Sequence, residues 1–133
     1  MLVEVKQGEI WLYEPPSAST SEQSALLVTS GSEQSGLRPF VIVSRDLVNK
    51  GRPTAVGVPL TTKVKKANAF RIQIPQAELL HDVGRDPFLP SVALCDHVRV
   101  LDLNQLRTKI GRLSDNALNS VVGLGLAFVF DFR

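Results

Sequence analysis

The sequence predicts a mainly β domain with helices (α+β), built as a small antiparallel barrel that ends in a C-terminal helix. Three observations carry this expectation. Short runs of β-branched and aromatic residues recur between turn residues. One long polar stretch interrupts them early in the chain. After residue 114 the hydrophobic period changes from strand-like to helical.

Glu9 to Tyr13 (EIWLY) reads as a first strand, ended by Pro15 and Pro16. Ser17 to Gly36 is rich in Ser, Thr, Gln and Gly and forms a loop, long for a compact domain. Phe40 to Ser44 (FVIVS) has the continuous apolar pattern of a buried strand. Thr54 to Leu60 (TAVGVPL) is another, with a bulge or an edge expected at Gly57 and Pro59. Phe70 to Ile74 (FRIQI) alternates as a half-buried strand does. Ser91 to Cys95 and His97 to Leu101 complete the β set, with Gln76 to Pro90 a polar connection of some helical potential. A short turn from Asn104 to Thr108 also has helical character. Ser114 or Asp115 can then cap a helix. Leu118, Val121, Val122, Leu126 and Val129 fall on one face of it. Gly123 and Gly125 each weaken that helix by about 1 kcal/mol relative to Ala, so packing must hold it.

The 133 residues fit one domain over 1–133, with a long loop at about 15–37. A hydrophobic content of 44% is enough to bury a core without metals or disulfides. The single cysteine, Cys95, has no internal partner, which suits a reducing compartment. The N-terminal segment lacks the apolar run of a signal peptide. The most apolar stretch, Leu118 to Phe130, falls short of a membrane span. No membrane association and a cytoplasmic location are therefore expected. The net charge of +2 is compatible with nucleic acid, so an RNA site must come from local clustering.

Metal chemistry has no motif here: His81 and His97 are isolated and Cys95 lacks a partner at ligand spacing. Neither a P-loop nor a dinucleotide fingerprint is present, and no cofactor is expected. Three polar clusters lie beside strand ends. In the first, Gly31 to Pro39, Pro39 pushes Arg38 toward an extended conformation. Arg38 is then either a fixed cation that forks onto a phosphate or a solvated strand-end arginine. In the second, Thr61, Thr62 and Lys63 either bind a phosphate oxygen or simply finish a strand. Lys65, Lys66, Lys50 and Arg52 add the main basic clustering, a phosphate track or a solvated loop. In the third, Asp96, His97 and Arg99 lie within four residues. His97 and Arg99 would share a strand face, where His97 either transfers protons, stacks on a base or is merely exposed. Cys95 beside them reads as core.

Taken in order, Gly8-Glu9-Ile10-Trp11, Gly31 to Pro39 (GSEQSGLRP), Phe40 to Ser44 with Arg45-Asp46, Pro59 to Lys63 (PLTTK), Ser91 to Arg99 (SVALCDHVR) and Lys109 to Asp115 (KIGRLSD) resemble the MazF/PemK family of toxin–antitoxin ribonucleases. The six segments span nearly the whole chain. The resemblance implies a CcdB-like, SH3-like barrel that forms a homodimer. It implies single-stranded RNA bound in a groove at the dimer interface, and a MazE-like antitoxin peptide competing for that groove.

Residue by residue, the resemblance places the catalytic arginine on Arg38 and the catalytic threonine on Thr61. The Ser-Glu-Gln loop that lines the site falls on Ser32, Glu33 and Gln34. Thr62, Lys63, Asp96, His97 and Arg99 are the remaining candidates for RNA contact. The chain departs from the family in its longer first loop, in His97 where Gln or Asn is commoner, and in Gly123 and Gly125. The implied activity is metal-independent cleavage of RNA, mRNA in particular, by attack of the ribose 2′-OH. The alternative is a non-catalytic CcdB-like toxin that binds DNA gyrase, and a third reading is a silent interaction module.

Overall fold

The computed structural model describes residues 3–15 and 36–131, with Lys66 described by its backbone alone. Eight described strands form one antiparallel sheet: β1 (Glu9–Tyr13), β2 (Arg38–Ile42), β3 (Thr54–Thr61), β4 (Arg71–Ile74), β5 (Leu79–His81), β6 (Ser91–Leu94), β7 (Arg99–Asp102) and β8 (Leu106–Leu113). Their order is β4-β6-β3-β2-β1-β8-β5, and β7 pairs with β3. The sheet curls into a half-barrel whose described end strands, β4 and β5, stay unpaired with each other.

Curvature has a visible source in β8. Ile10 faces Gly111 but Trp11 faces Lys109, and Leu12 faces Thr108 but Tyr13 faces Leu106. Ile110 and Arg107 are thus extra residues, and bulges of this kind bend a strand and increase its twist. They also break the period-two pattern. That is why the expected helical turn at Asn104–Thr108 is corrected here: only Leu103–Gln105 forms a 3₁₀ turn, and Leu106 onward is strand. The polar connection after Gln76 likewise yields one 3₁₀ turn and the short β5.

β3 is the hub of the sheet, which corrects the expected edge at Gly57 and Pro59. Thr54 to Gly57 pair with β7, Leu60 and Thr61 pair with β6, and Phe40 to Ile42 of β2 lie along the other side. Pro59 sits in the gap between the β7 and β6 ladders, where its missing N–H leaves no ladder bond unmade. Leu101 folds over Gly57 so closely that a Cβ there would collide with its side chain.

Each face of the sheet carries a core. One face buries Ile10, Val41, Val58, Leu60 and Ala93 beneath the C-terminal helix. The other buries Tyr13, Phe40, Ile42, Ala55 and Leu101, with Trp11 packed alongside. The short helix α1 (Asp46–Asn49) follows β2.

The C-terminal helix starts with α2 (Asp115–Ser120), continues as a π-helical segment (Val121–Leu126) and ends in α3 (Ala127–Val129). Ser114 is its cap: the hydroxyl accepts the Ala117 N–H at 3.0 Å and donates to Glu78 at 2.6 Å. Leu118, Val121, Val122, Leu126 and Val129 all pack on the core, as their spacing predicts. Gly125 lets the helix settle onto Cys95 and Ile72. A Cβ at this position would collide with the Cys95 sulfur and lie 2.8 Å from Ile72 Cγ1. Gly123 faces open space. The two glycines should therefore respond oppositely to alanine. Gly125→Ala is expected to cost about 1–3 kcal/mol through overpacking, and Gly123→Ala to gain up to about 1 kcal/mol through helix propensity. Urea midpoints check the order, and equal shifts in the same direction would contradict the packing described.

Candidate functional site

Three neighbouring strands bring chemistry to one end of the sheet. Tyr13 of β1 lies opposite Arg38 of β2. On the other side of β2, Phe40 faces Pro59. Moving two residues toward the strand ends, back along β2 and forward along β3, sets Arg38 across from Thr61. Residues directly opposite in an antiparallel pair share a face, so Tyr13, Arg38 and Thr61 align across β1, β2 and β3 on the Phe40 face.

Arg38 is half-buried, and its Nε is shielded from solvent. The guanidinium stem is thereby held against the sheet. Thr61 is also half-buried, and its Oγ1 accepts the Lys63 N–H at 3.2 Å. That bond orients the hydroxyl and leaves its proton available to a further acceptor. Thr62 and Lys63 follow at the surface, and Lys65 is exposed in the next 3₁₀ turn.

A groove of about 220 Å³ adjoins these strand ends. Leu12, Pro39 and Leu60 form its apolar wall on the face opposite Tyr13 and Arg38, Thr61 and Thr62 bring hydroxyls to it, Phe88 closes one side, and Arg38 does not line it. Gln76 Nε2 donates to the Phe88 carbonyl at 2.8 Å and ties down that connection. A larger cavity of about 400 Å³ lies elsewhere, between the N-terminal segment and α1, where Glu4 and Asp46 alternate with Lys6 and Lys50. The mixed charge there offers no clear pull on a polyanion.

The third polar cluster differs from its expected form. Cys95–His97 is a 3₁₀ turn, and β7 starts at Arg99, so His97 and Arg99 do not share a strand face. The Asp96 carboxylate accepts two hydrogen bonds from Arg71, at 3.0 and 2.7 Å, and His97 Nε2 stands 3.7 Å from it. These bonds from Arg71 hold the Asp96 carboxyl below its ordinary value and raise Arg71. Cys95 is fully buried, and desolvation pushes its thiol up to about 12, so it is a core residue and a poor nucleophile at neutral pH. Arg99 instead reaches over the Tyr13 ring, with its guanidinium carbon 5.8 Å from the centroid.

Of the candidates, Arg38, Thr61, Thr62 and Lys63 gather at one end of β2 and β3, and Arg99 approaches through Tyr13. Asp96 and His97 sit in the turn before β7, engaged with Arg71. Ser32, Glu33 and Gln34 lie outside the described residues. Two contributors carried no sequence signal as site residues. Tyr13 ends an ordinary hydrophobic strand, and Arg71 meets a carboxylate 25 positions away. Among the described residues, no three His, Cys, Asp or Glu side chains stand close enough to hold a metal ion.

A carboxyl held down by an arginine stabilises the fold fully above the ordinary aspartate range, and that contribution fades as pH falls through the lowered value. Asp96→Asn is expected to cost on the order of 1 kcal/mol or less near neutrality, since the pair is partly solvated. The gap between the variant and the parent should start to close as pH drops below the ordinary aspartate value of about 4 and vanish only below the lowered value. Urea titrations at several pH values check this, and a gap that widens on acidification would contradict it.

Known proteins resemble this chain in sequence and fold. The description "PemK-like, MazF-like toxin of type II toxin-antitoxin system" matches residues 6–123. Endoribonuclease MazF of Staphylococcus saprophyticus subsp. saprophyticus is 34% identical over 102 residues, spanning 72% of this chain and 80% of that protein. MazF (Form-I) from Deinococcus radiodurans superposes with a TM-score of 0.61 at 23% identity, covering 97% of this chain and 96% of that one. An endoribonuclease in complex with its cognate antitoxin, from a mycobacterial species, superposes with a TM-score of 0.58 at 18% identity, covering 98% and 96%. At these identities the superpositions speak to the fold. The family match and the staphylococcal relative go further: the chain belongs to the PemK-like, MazF-like toxins of type II toxin–antitoxin systems, a family of RNA-cleaving endoribonucleases.

Proposed function

We propose that this chain is a sequence-selective, metal-independent endoribonuclease toxin that cuts single-stranded RNA, mRNA above all. One observation carries the reading: the β2–β3 register sets the half-buried Arg38 across from the oriented hydroxyl of Thr61 at the strand ends. A permanent cation and a hydroxyl donor on one face suit a phosphodiester. The staphylococcal relative, named an endoribonuclease, supports RNA cleavage as the activity.

In the proposed reaction the ribose 2′-oxygen attacks the adjacent phosphorus. A P–O2′ bond forms as the P–O5′ bond breaks. The 2′-OH gives up its proton, the departing 5′-oxygen gains one, and the ends are a 2′,3′-cyclic phosphate and a 5′-OH. Charge grows on the phosphoryl oxygens in the transition state. Arg38 neutralises it, a role better suited to a guanidinium than that of a base. Thr61 donates to a phosphoryl oxygen and holds the reacting atoms in line. Thr62 and Lys63 extend the contact along the strand. Asp96 and His97, in the turn before β7, are further RNA contacts in this reading. Ser32, Glu33 and Gln34, outside the described residues, are further RNA contacts on the family resemblance.

A MazE-like antitoxin peptide is the proposed inhibitor, occupying the RNA groove. MazF of Deinococcus radiodurans was solved with MazE, and the mycobacterial enzyme with its cognate antitoxin. The proposed active form is a homodimer. Leu124 and Phe128, one turn apart on the C-terminal helix, are 63% and 57% exposed, an apolar patch suited to self-association. No described helix is long and apolar enough to cross a membrane, and cytoplasmic action on mRNA is the proposed setting.

Incubation with an RNA library in excess chelator tests the reading. Cleavage at a short preferred sequence, leaving cyclic phosphate ends, is expected. A deoxyribose placed before the cut bond should block the reaction, because the attacking hydroxyl is gone. Arg38→Ala should lose on the order of 2.7–4 kcal/mol of barrier lowering, at least about a hundredfold in rate, while keeping its fold. Cutting at the parental rate would refute the assignment. Intact RNA with arrested gyrase would favour a CcdB-like toxin instead.

A further inference from the structure

We infer that Arg99 is a second phosphate-binding cation of this site, seated by Tyr13 beside Arg38; the inference rests on the RNA-cleaving reading above. Tyr13 is a fixed mount. Its ring is 1% exposed and packs edge-on against Phe40, with centroids 5.3 Å apart and planes at 71°. Arg38 stands directly opposite it in the β1–β2 ladder, and the Arg99 guanidinium carbon lies 5.8 Å from its centroid. One buried ring therefore adjoins two arginines from strands far apart in sequence.

The strand faces agree with this placement. Arg99 is opposite Gly57, and Leu101, two residues on, joins Tyr13 and Phe40 in the same core. Arg99, Tyr13 and Arg38 thus rise from one face of the sheet, the face on which register also places Thr61. Gly57 carries no side chain to contest the space.

The charge of Arg99 is available to a ligand. Asp96, the acidic residue nearest in sequence, already accepts two hydrogen bonds from Arg71. The described acidic partners in ion pairs serve Arg71, Arg107 and Lys109, and none serves Arg99. A guanidinium stacked on an aromatic ring loses less freedom when it forks onto a phosphate. Two cations at one mount can engage successive phosphates of a single strand, with Arg38 at the cut bond and Arg99 at its neighbour.

The bland role for Arg99 is to cover the Tyr13 ring, and Arg99→Met separates the two because it keeps the cover and removes the charge. The probe is an RNA oligonucleotide methylated at its 2′-oxygens, so that binding is read without cleavage. Arg99→Met should weaken binding by about tenfold or more. It should also lower the slope of log affinity against log salt by about 0.7, one phosphate contact on a single strand. Arg99→Lys should recover the slope but only part of the affinity. Both variants should keep the parental melting temperature. A slope and affinity unchanged in Arg99→Met would overturn the inference. A parent that binds the probe with this Arg99-dependent slope yet never cuts unmodified RNA would refute the nuclease reading and leave the paired cations standing. A parent that ignores the probe would end both.

Discussion

The register of β1 against β2 and β2 against β3 is the constraint on which the rest of the site depends. Tyr13 opposite Arg38, and Phe40 opposite Pro59, put a ring, a guanidinium and a hydroxyl on one face at the strand ends. Side chains alternate along a strand, so a slip of one residue would turn Arg38 to the opposite face. What prevents the slip is burial on both faces. Val41 belongs to the core under the C-terminal helix, and Phe40 and Ile42 belong to the core around Tyr13. Exchanging those faces would unpack two cores together. The position of Arg38 on its face is thus secured by residues buried in two cores.

The C-terminal helix completes that arrangement from behind. It covers the core that holds Val41, Val58 and Leu60, the buried side of the strands carrying Arg38 and Thr61. Its sequence is poorly helical by propensity, with Gly123 and Gly125 inside a π-helical segment. The approach of Gly125 to Cys95 and Ile72 shows what the helix gains from one of those glycines: contact too close for any larger residue. Cys95 fills this contact as an inert buried thiol, so its chemistry is packing.

The legibility of the sequence followed how local each cause was. β1 matched its expected limits, and β2, β3, β4 and β6 came within two residues of theirs, because their β-branched and aromatic runs reflect burial directly. β8 escaped because its two bulges scramble the alternation that marks a strand. The Asp96–His97 turn was hidden by the β-formers after it, and its real partner, Arg71, arrives through the β4–β6 pairing. Arg38 and Thr61 were nominated by motif order, yet their placement across from each other is a property of the ladder, which no single segment encodes. Tyr13 looked like one more apolar strand residue, since nothing nearby in sequence announces the two arginines gathered around it. Ser32, Glu33 and Gln34, nominated on the same resemblance, lie outside the described residues.

In the proposed reaction Arg38 and Thr61 act on a single phosphodiester. A double-mutant cycle on single-turnover cleavage addresses it most directly, using Arg38→Ala, Thr61→Val and the two combined. Groups that serve one transition state are strongly non-additive. The double variant should therefore cleave little more slowly than the worse single variant, with the 2′,3′-cyclic phosphate still the product of any residual activity. Losses that simply multiply would mean that the two side chains act at separate places, and would contradict the site described.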